Sequence, residues 1–381
     1  MSEKSGGVED SRPPRIAITG PEGFIAWHTR CALRARDGGG DALHLAEGEF
    51  DDPDLMDAAL AEADAVIHLA GVNRASDDAT IAEVNPWLAD RLVESLERLD
   101  RPIPIVYGNS IHSRGDSVFG VAKRQAADIL RDWGRRSGAP VADVVLPNIF
   151  GEHGAPFYNS VVATFCHLLA NDQQPEIQVD REMPLLHVQR AASVLLDAAA
   201  EGFDGEVAPP GTPTTVTGVL ERLLPIRDAY RSAILPDLSD PFTRDLFNTY
   251  RSYTFPQQWP IYPEVRGDQR GELFETVKAP GGQTQVFFST TNPGFTRGQH
   301  YHLHKVERFL VLRGEAVIRL RKVFSDEVVE FPVSGDRPGV IDMPTMWVHS
   351  ITNTGDDELI TLFYADEVFD PANPDTFPEE V

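Results

Sequence analysis

The sequence predicts two domains of different class, an N-terminal α/β domain with a parallel sheet and a C-terminal all-β domain. Two observations carry this prediction. Up to about residue 205, short apolar runs alternate with stretches of helical spacing, which is typical of a parallel sheet with crossover helices. After Pro263, short alternating runs are separated by Gly, Asn, Asp and Pro turns, which is typical of a barrel or jelly roll.

The elements of the first domain follow from their apolar patterns. Residues 85–99 and 121–136 have the spacing of amphipathic helices. Short apolar runs before and after these helices are predicted as inner strands, at 15–20, 65–71, 102–110 and 141–151.

The 381-residue chain is long enough for two domains of ordinary size. We predict a flexible tail over 1–14, a first domain over 15–245 and a second domain over 246–381. A linker at about 239–262 is predicted because that stretch is rich in aromatic residues and proline and weak in periodicity.

The formal charge of −25 argues against nucleic acid and anionic membrane surfaces as partners. If the substrate is an anion, the positive groups that hold it must therefore be local. We predict no transmembrane helix, and the N-terminus lacks the apolar core of a signal peptide. Cys31 and Cys166 lie far apart in the chain, so no disulfide framework is expected. These features favour a cytoplasmic protein.

The second domain contains histidine and glutamate residues at the spacing of a known metal-binding motif. Gly294, His300, His302, Glu307 and Gly314 match the first cupin motif at every position. On a strand, the two histidines point to one face because the side-chain period is two. Glu307 can return to that face from the next strand. Burying these three side chains without a metal or a substrate would be costly.

The partner motif lies in 344–353, where Pro344, His349 and Asn353 match and Met346 replaces the usual glycine. The inferred metal ligands are therefore His300, His302, Glu307 and His349. Three imidazoles and one carboxylate suit zinc, iron, manganese or nickel, with zinc favoured. His304 also points inward by period, as a further ligand, a base or a rim residue.

A glycine turn follows the first predicted strand, as in a dinucleotide-binding fold. Gly20 and Gly23 match the short-chain pattern, the third glycine is Ala26, and Phe24 and Ile25 begin the helix. The predicted cofactor site therefore comprises Gly20, Gly23, Phe24, Ile25 and Lys123. No arginine follows the second strand to hold a 2′-phosphate, so we predict weak NAD(P)(H) binding, weakest for NADPH.

Short-chain dehydrogenases place a tyrosine four residues before a lysine on one helical face. Here Lys123 is present but Phe119 takes the place of the tyrosine. Ser110, at the end of the predicted fifth strand, matches the serine that bonds the substrate carbonyl. Phenylalanine cannot transfer a proton, and loss of a general acid typically removes about 10²- to 10⁴-fold of rate. Tyr107 and His112 are near in sequence but lack the required helical position.

From about Arg15 onward, the whole chain resembles the bifunctional CapF/WbjC-type enzymes of capsule and O-antigen synthesis, in which an extended short-chain dehydrogenase/reductase domain of Rossmann type is fused to a cupin domain. Particular stretches carry the resemblance, at 68–74, 147–151, 158–171, 294–302 and 369–377. The resemblance implies a homodimer whose zinc-binding cupin domain epimerises C3 of a UDP-4-keto-6-deoxy-N-acetylhexosamine. It also implies that the other domain reduces the 4-ketone with NADPH.

Phe119 departs from the family pattern, as do Gln189 and Arg190, where the family has acidic residues. These departures affect the reduction and leave the epimerisation intact. The favoured hypothesis is therefore a metal-dependent epimerase of a nucleotide-linked keto sugar, with a reductase-like domain impaired at Phe119.

Three candidates for the epimerisation base are close in sequence: Tyr301, His304 and Lys305. The alternative hypothesis is an iron-dependent cupin oxygenase whose Rossmann domain serves only for binding or dimerisation. A third, non-enzymatic hypothesis is a sugar-nucleotide sensor.

Overall fold

The structure is a computed structural model that describes residues 14–37, 40–262, 266–268, 271–273, 284–367 and 369–381. The predicted tail lies outside these residues, apart from Pro14. The strands, in chain order, are β1 Ile16–Thr19, β2 Leu43–Leu45, β3 Ala65–His68, β4 Ile105–Ser110, β5 Val141–Leu146, β6 Asn148–Phe150, β7 Glu182–His187, β8 Gly205–Val207, β9 Thr212–Thr215, β10 Arg266–Asp268, β11 Gly271–Leu273, β12 Gln285–Thr291, β13 Thr296–Tyr301, β14 Glu307–Arg313, β15 Glu315–Lys322, β16 Val328–Ser334, β17 Val340–Met343, β18 Trp347–Asn353, β19 Leu359–Ala365 and β20 Phe377–Pro378. The helices are α1 Phe24–Asp37, α2 Pro53–Ala61, α3 Asp78–Arg98, α4 Val118–Ser137, α5 Val161–Ala170, α6 Val188–Glu201, α7 Val216–Arg231 and α8 Pro241–Ser252.

The chain divides into two compact units. One comprises the residues up to Leu146 together with Ala192–Pro209, and the other comprises Pro147–Ala191 and Pro210–Val381. The division between them therefore does not follow the boundary predicted near residue 245.

The first unit is built on a six-stranded parallel sheet in the order β2-β1-β3-β4-β5-β8. Strands β1, β3 and β5 are buried along their whole length, as expected for a parallel sheet covered by helices. The predicted Rossmann-like α/β class is confirmed. In such sheets ligands bind beyond the carboxyl ends of the strands at the point where the strand order reverses, which here lies between β1 and β3.

Two strand predictions for this region need correction. The run 141–151 is not one strand, because Pro147 has no N–H to continue the ladder, and β6 pairs with β7 in a separate three-stranded sheet. Ser110 ends the fourth strand and not the fifth, because the segment after β2 forms a 3-10 turn over Glu47–Asp51 and then α2.

The C-terminal part is all-β, as predicted, and consistent with a cupin-like domain. A four-stranded sheet in the order β12-β19-β14-β17 and a five-stranded sheet in the order β16-β15-β18-β13-β20 are both antiparallel. Apolar side chains from both sheets form one core, which includes Phe309, Ile318, Ile341 and Ile351.

The stretch predicted as a linker contains helix α8. Its start has strong local signals, since Asp240 caps the helix by accepting from the backbone N of Thr243 at 3.0 Å and Pro241 takes the first helical position. Two aromatic residues of this stretch, Phe247 and Tyr250, are fully buried and belong to the same core as the antiparallel sheets. Their apolar content therefore serves packing and not a flexible connection.

A buried ion-pair network also lies in the second unit. Arg308 donates through Nε to Asp342 Oδ1 at 2.7 Å, and Arg251 Nη1 lies 3.6 Å from the other oxygen of this carboxylate. The hydroxyl of Tyr230 donates to the same oxygen. This network links α7 and α8 to strands β14 and β17.

Cys31 and Cys166 are both buried, and neither forms a disulfide within the described residues. Among the helices of the described residues, none has the length and apolar content that crossing a membrane requires.

Candidate metal centre and candidate reductase site

Strands β13 and β18 bring two of the candidate ligands, His300 and His349, together. His300 pairs directly with His349, and a bulge between Gly298 and His300 shifts the register at this point. Gln299, the extra residue of the bulge, has φ 62°. Glu307 begins β14 in the other sheet and His302 follows the end of β13. One potential ligand atom from each of these four residues lies within 4.8 Å of the other three.

Hydrogen bonds orient two of the imidazole rings toward this cluster. The Nδ1 of His302 contacts the carbonyl oxygen of Asp375, and the Nδ1 of His349 contacts that of Trp347 at 3.1 Å. Because a carbonyl only accepts, both Nδ1 atoms carry a proton, and the Nε2 atoms are the ones left to bind a metal. Both Nε2 atoms face the carboxylate of Glu307, at 3.0 Å for His302 and 3.6 Å for His349. This orientation is the one that a metal-binding histidine requires.

The electrostatics of the cluster favour a metal ligand set. Burial, together with His349 and His302, lowers the pKa of His300 to about 3. Burial also lowers the pKa of His349. Burial would raise the pKa of Glu307, but His302, whose Nε2 lies 3.0 Å from Glu307 Oε2, holds it well below its usual value. Burial lowers the pKa of His302, but Glu307 outweighs this effect and raises it, so His300 and His349 are the two imidazoles held neutral beside the ionised carboxylate. Binding of a divalent cation releases the proton of a ligand imidazole.

Asp375 was missed by the sequence reasoning, although it lies in a stretch that carries the family resemblance. Its carboxylate accepts from the backbone N of Leu303, His304 and Lys305 at 3.0, 2.8 and 2.7 Å. Together with its carbonyl contact to His302, Asp375 fixes the turn between His302 and Glu307. No local pattern could link residues this far apart in the chain.

The three candidate bases lie in different surroundings. Tyr301 is buried, with its ring centroid 5.4 Å from that of Phe377. Lys305 is buried and donates through Nζ to the carbonyl of Pro374 at 2.6 Å. Burial lowers the pKa of His304, and the charges that act on this ring belong to residues outside the cluster: Asp375, His187, Arg244 and Glu152.

A second buried group supports the turn that precedes β18. Thr345 Oγ1 donates to Glu152 Oε1 at 3.1 Å, and the other oxygen of this carboxylate lies 3.1 Å from His187 Nε2. The next residue, Met346, has φ 60°, and its backbone N donates to the carbonyl of His302 at 2.8 Å. The left-handed backbone at this position explains why the motif normally has glycine here. Methionine keeps the conformation at a cost of about 1–2 kcal/mol.

The Sδ of Met346 accepts a hydrogen bond from Gln189 Nε2 at 2.9 Å. One of the departures from the family pattern thus contacts the metal-site turn directly.

In the other unit, the glycine turn lies between β1 and α1. Gly20 has φ 62°, and a Cβ at this position would come within 3.0 Å of the Cα of Ala70, so only glycine fits here. The backbone N of Gly23 donates to the carbonyl of Gly20 at 2.9 Å. Phe24 and Ile25 form the first turn of α1 at the reversal point of the sheet. Ala26 is fully buried, so alanine is accommodated in the place of the third glycine.

Helix α4 carries Phe119 and Lys123 one turn apart, and Ser110 ends the neighbouring strand β4. The Phe119 ring is half-buried, 6.3 Å from that of His112. Lys123 is buried and donates through Nζ to the carbonyl of Gly108 at 2.7 Å. The ring of Tyr107 packs against the Lys123 side chain, with Nζ 4.1 Å from the ring centroid. Tyr107 therefore does not replace the missing phenol at position 119.

The buried Lys123 gives a testable pH dependence. Burial lowers its pKa from 10.5 to about 7, against the smaller opposing effect of Asp143. The folded chain therefore binds fewer protons than the unfolded chain between pH 7 and 10.5, and the free energy of unfolding rises with pH across this window. We expect Lys123→Met to be more stable than the wild type below pH 7, by roughly 1–3 kcal/mol.

Chemical denaturation at several pH values measures this difference, which should vanish toward pH 10.5. Gln125→Met, an exposed neutral position on the same helix, is the matched control and should show no such trend. A Lys123→Met curve parallel to that of the wild type would contradict the lowered pKa.

Two known families match separate stretches of this chain. Residues 16–208 match the NAD dependent epimerase/dehydratase family, and residues 266–377 match the polysaccharide biosynthesis C-terminal domain. The chain is 32% identical over 372 residues, covering 95% of this chain and 98% of the relative, to a UDP-2-acetamido-2,6-beta-L-arabino-hexul-4-ose reductase of Pseudomonas aeruginosa.

Solved structures extend this similarity over both parts of the chain. The capsular polysaccharide assembling protein CapF of Staphylococcus aureus is similar with a TM-score of 0.61 and 32% identity, over 96% of this chain and 100% of that one. A structure of CapF with the inhibitor 3-isopropenyl-tropolone has a TM-score of 0.57, 30% identity and the same coverage. UDP-glucose 4-epimerase of Thermotoga maritima, at 19% identity and a TM-score of 0.51 over 56% of this chain and 82% of that one, shares the fold.

These similarities and the two-part fold define a nucleotide-sugar-modifying enzyme of the short-chain dehydrogenase/epimerase class. Within that class, the chain belongs to the family of CapF-type capsular polysaccharide enzymes.

Proposed function

We propose that the C-terminal domain is a metal-dependent epimerase that inverts C3 of a UDP-linked 4-keto-6-deoxy sugar. The observation that carries this proposal is the group formed by His300, His302, Glu307 and His349, in which backbone carbonyls hold the Nδ1 atoms of two imidazoles so that their Nε2 atoms are left for a metal. The names of the full-length relatives, a UDP-hexulose reductase and a capsular polysaccharide protein, support the substrate class. Zinc is the metal we propose, since it binds such ligand sets readily.

The chemistry requires removal of the proton at C3, next to the ketone, and its return to the opposite face. A bound divalent ion would stabilise the negative charge on the keto oxygen as a Lewis acid. The ligand residues would surround that ion with three imidazoles and one carboxylate. A further residue must act as the base that takes the proton from C3. We propose His304 as this base, because its backbone is fixed by Asp375 on the turn that joins two of the ligands, and Lys305 is already bound to Pro374.

In this proposal the N-terminal domain binds NAD(P)(H) at the Gly20–Gly23 turn and is impaired in reduction because Phe119 has no hydroxyl. Ser110 and Lys123 are the residues that we propose for the rest of the reductase site. The homodimer implied by the family is also part of the proposal, and light scattering of the purified chain would test it.

The test is hydrogen exchange in D₂O with a UDP-4-keto-6-deoxy-N-acetylhexosamine and without nicotinamide cofactor. We expect incorporation of deuterium at C3, located by NMR, with wild-type protein. His304→Gln should lower the exchange rate by about 10²-fold or more while metal content stays unchanged, as for loss of a general base. Absence of exchange with fully metal-loaded wild type, or oxygen consumption in its place, would refute the epimerase assignment.

A further inference from the structure

The face of the four-stranded sheet that carries Glu307 continues beyond the metal cluster. Phe309 follows on the same face of β14 because side chains alternate along a strand. It pairs in register with Phe363 of β19, which pairs with Phe287 of β12. Adjacent rings in this row have centroid distances of 4.6 and 4.9 Å, and Phe309 lies 5.6 Å from the ring of His349. Phe287, at the outer end, is 41% exposed, so this face is open to solvent beside β12.

Two hydroxyl groups lie on the same face, one step further from Glu307. Ser289 and Thr361 are directly opposite each other in register, next to Phe287 and Phe363. Both hydroxyl oxygens are buried and have no hydrogen-bond partner within the described residues, and Thr361 is only 1% exposed. A buried polar group without a partner costs about 1–3 kcal/mol. Such a pair is expected where a ligand supplies the missing hydrogen bonds.

A positive charge faces the same interior from the other sheet. Arg297 pairs with Ile351, which lies two residues from His349 on β18, so Arg297 and His349 share a face. Its Nε and Nη2 donate to the carbonyl of Thr290 at 3.2 and 2.9 Å, and Nε also donates to Thr291 Oγ1 at 3.0 Å. These bonds fix the guanidinium group, and the residue is still exposed.

The spacing of these groups fits one hexose ring and the phosphate attached to it. Two steps along β18, from Ile351 to His349, span about 7 Å at roughly 3.3–3.4 Å per residue. In a chain of net charge −25, an oriented arginine at that distance from the cluster provides the local positive charge that an anionic substrate needs.

We propose that this face binds the sugar–diphosphate part of the nucleotide sugar. Arg297 binds the diphosphate, Ser289 and Thr361 hydrogen-bond polar substituents of the sugar, and Phe287 packs against an apolar face of the ligand. This assignment rests on the proposed function for its substrate, and it specifies the residues that orient the ring at the metal cluster. It concerns binding, so it can be tested whether or not exchange at C3 occurs.

The first test compares Arg297→Gln with the wild type by calorimetric titration of the metal-loaded full chain with UDP-N-acetylglucosamine. A nucleotide-sugar site in the N-terminal domain would be the same in the variant and the wild type. A difference in affinity between them therefore shows the effect of Arg297. We expect at least a tenfold loss of affinity, with metal content unchanged. Arg319→Gln is the matched control, since the half-buried Arg319 lies on the opposite face of the sheet and is bonded to Glu330. This change should leave affinity unchanged. Equal titration curves for Arg297→Gln and the wild type would overturn the proposal.

The second test separates binding from stability at Thr361. Thr361→Val keeps the shape of the side chain and removes only the hydroxyl, which has no hydrogen-bond partner among the described residues. We expect a three- to tenfold loss of affinity for UDP-N-acetylglucosamine, which corresponds to the usual contribution of one hydrogen bond. The melting temperature should be unchanged or higher. Unchanged affinity, or a loss that accompanies a lower melting temperature, would refute a ligand-binding role for this hydroxyl.

Discussion

Replacing His302 and His349 together with alanine is expected to abolish metal binding and the proposed exchange at C3. Wild-type protein should carry about one divalent ion per chain, as a site with four protein ligands requires. The double variant leaves His300 and Glu307, and two ligands cannot complete a tetrahedral site. We expect metal content below about a tenth of an ion per chain and a loss of exchange of at least 10³-fold, since the Lewis acid is removed. Elemental analysis of the dialysed protein measures the first effect.

Loss of two buried side chains could also disturb the fold, so two further variants accompany this measurement. Glu307→Gln keeps the shape of the ligand and removes its charge, and should lower metal affinity without loss of the folded state. His44→Ala with His112→Ala removes two exposed imidazoles outside the cluster and should leave the metal in place. Full metal occupancy in the His302→Ala, His349→Ala variant would show that the ligand assignment is wrong.

Phe119→Tyr is expected to restore reduction of a 4-keto sugar by NADPH, with cofactor oxidation about 10²-fold faster than in the wild type or more. The half-buried ring is already present on the first turn of α4, so the change adds one oxygen atom. Lys123 lies one turn further along the same helix and Ser110 ends the neighbouring strand. The positive charge of Lys123 would lower the pKa of the new phenol and aid proton transfer. Loss of absorbance of NADPH follows the reaction.

Two controls separate the effect of the hydroxyl from other effects. Phe119→Leu removes the ring without adding a donor and should stay as slow as the wild type. Phe157→Tyr adds the same hydroxyl at an exposed position and should also have no effect. Fast reduction by the wild type would show that another residue supplies the proton. An inert Phe119→Tyr variant that binds cofactor would place the defect elsewhere, with Gln189 and Arg190 the next residues to vary.

The candidate metal centre could be predicted because its ligands follow local rules. His300 lies in β13 and His302 follows two residues later, just after the strand ends. Glu307 begins the next strand, so a single short turn separates it from His302. His349 required only recognition of a second motif. Asp375, Glu152 and Thr345 could not be found in this way, because they act through contacts between residues that lie 70 or more positions from their partners.

Sequence periodicity by itself determined that the chain has a parallel α/β part and an antiparallel β part, since alternation of side chains is a local property of each strand. It also determined four candidate ligands and a reductase pattern without its phenol. Only the tertiary structure decided that the segments 147–191 and 210–245 pack in the same unit as the antiparallel sheets. The same holds for the row of side chains from Glu307 to Phe287, because strand pairing and register depend on contacts between segments that are distant in sequence.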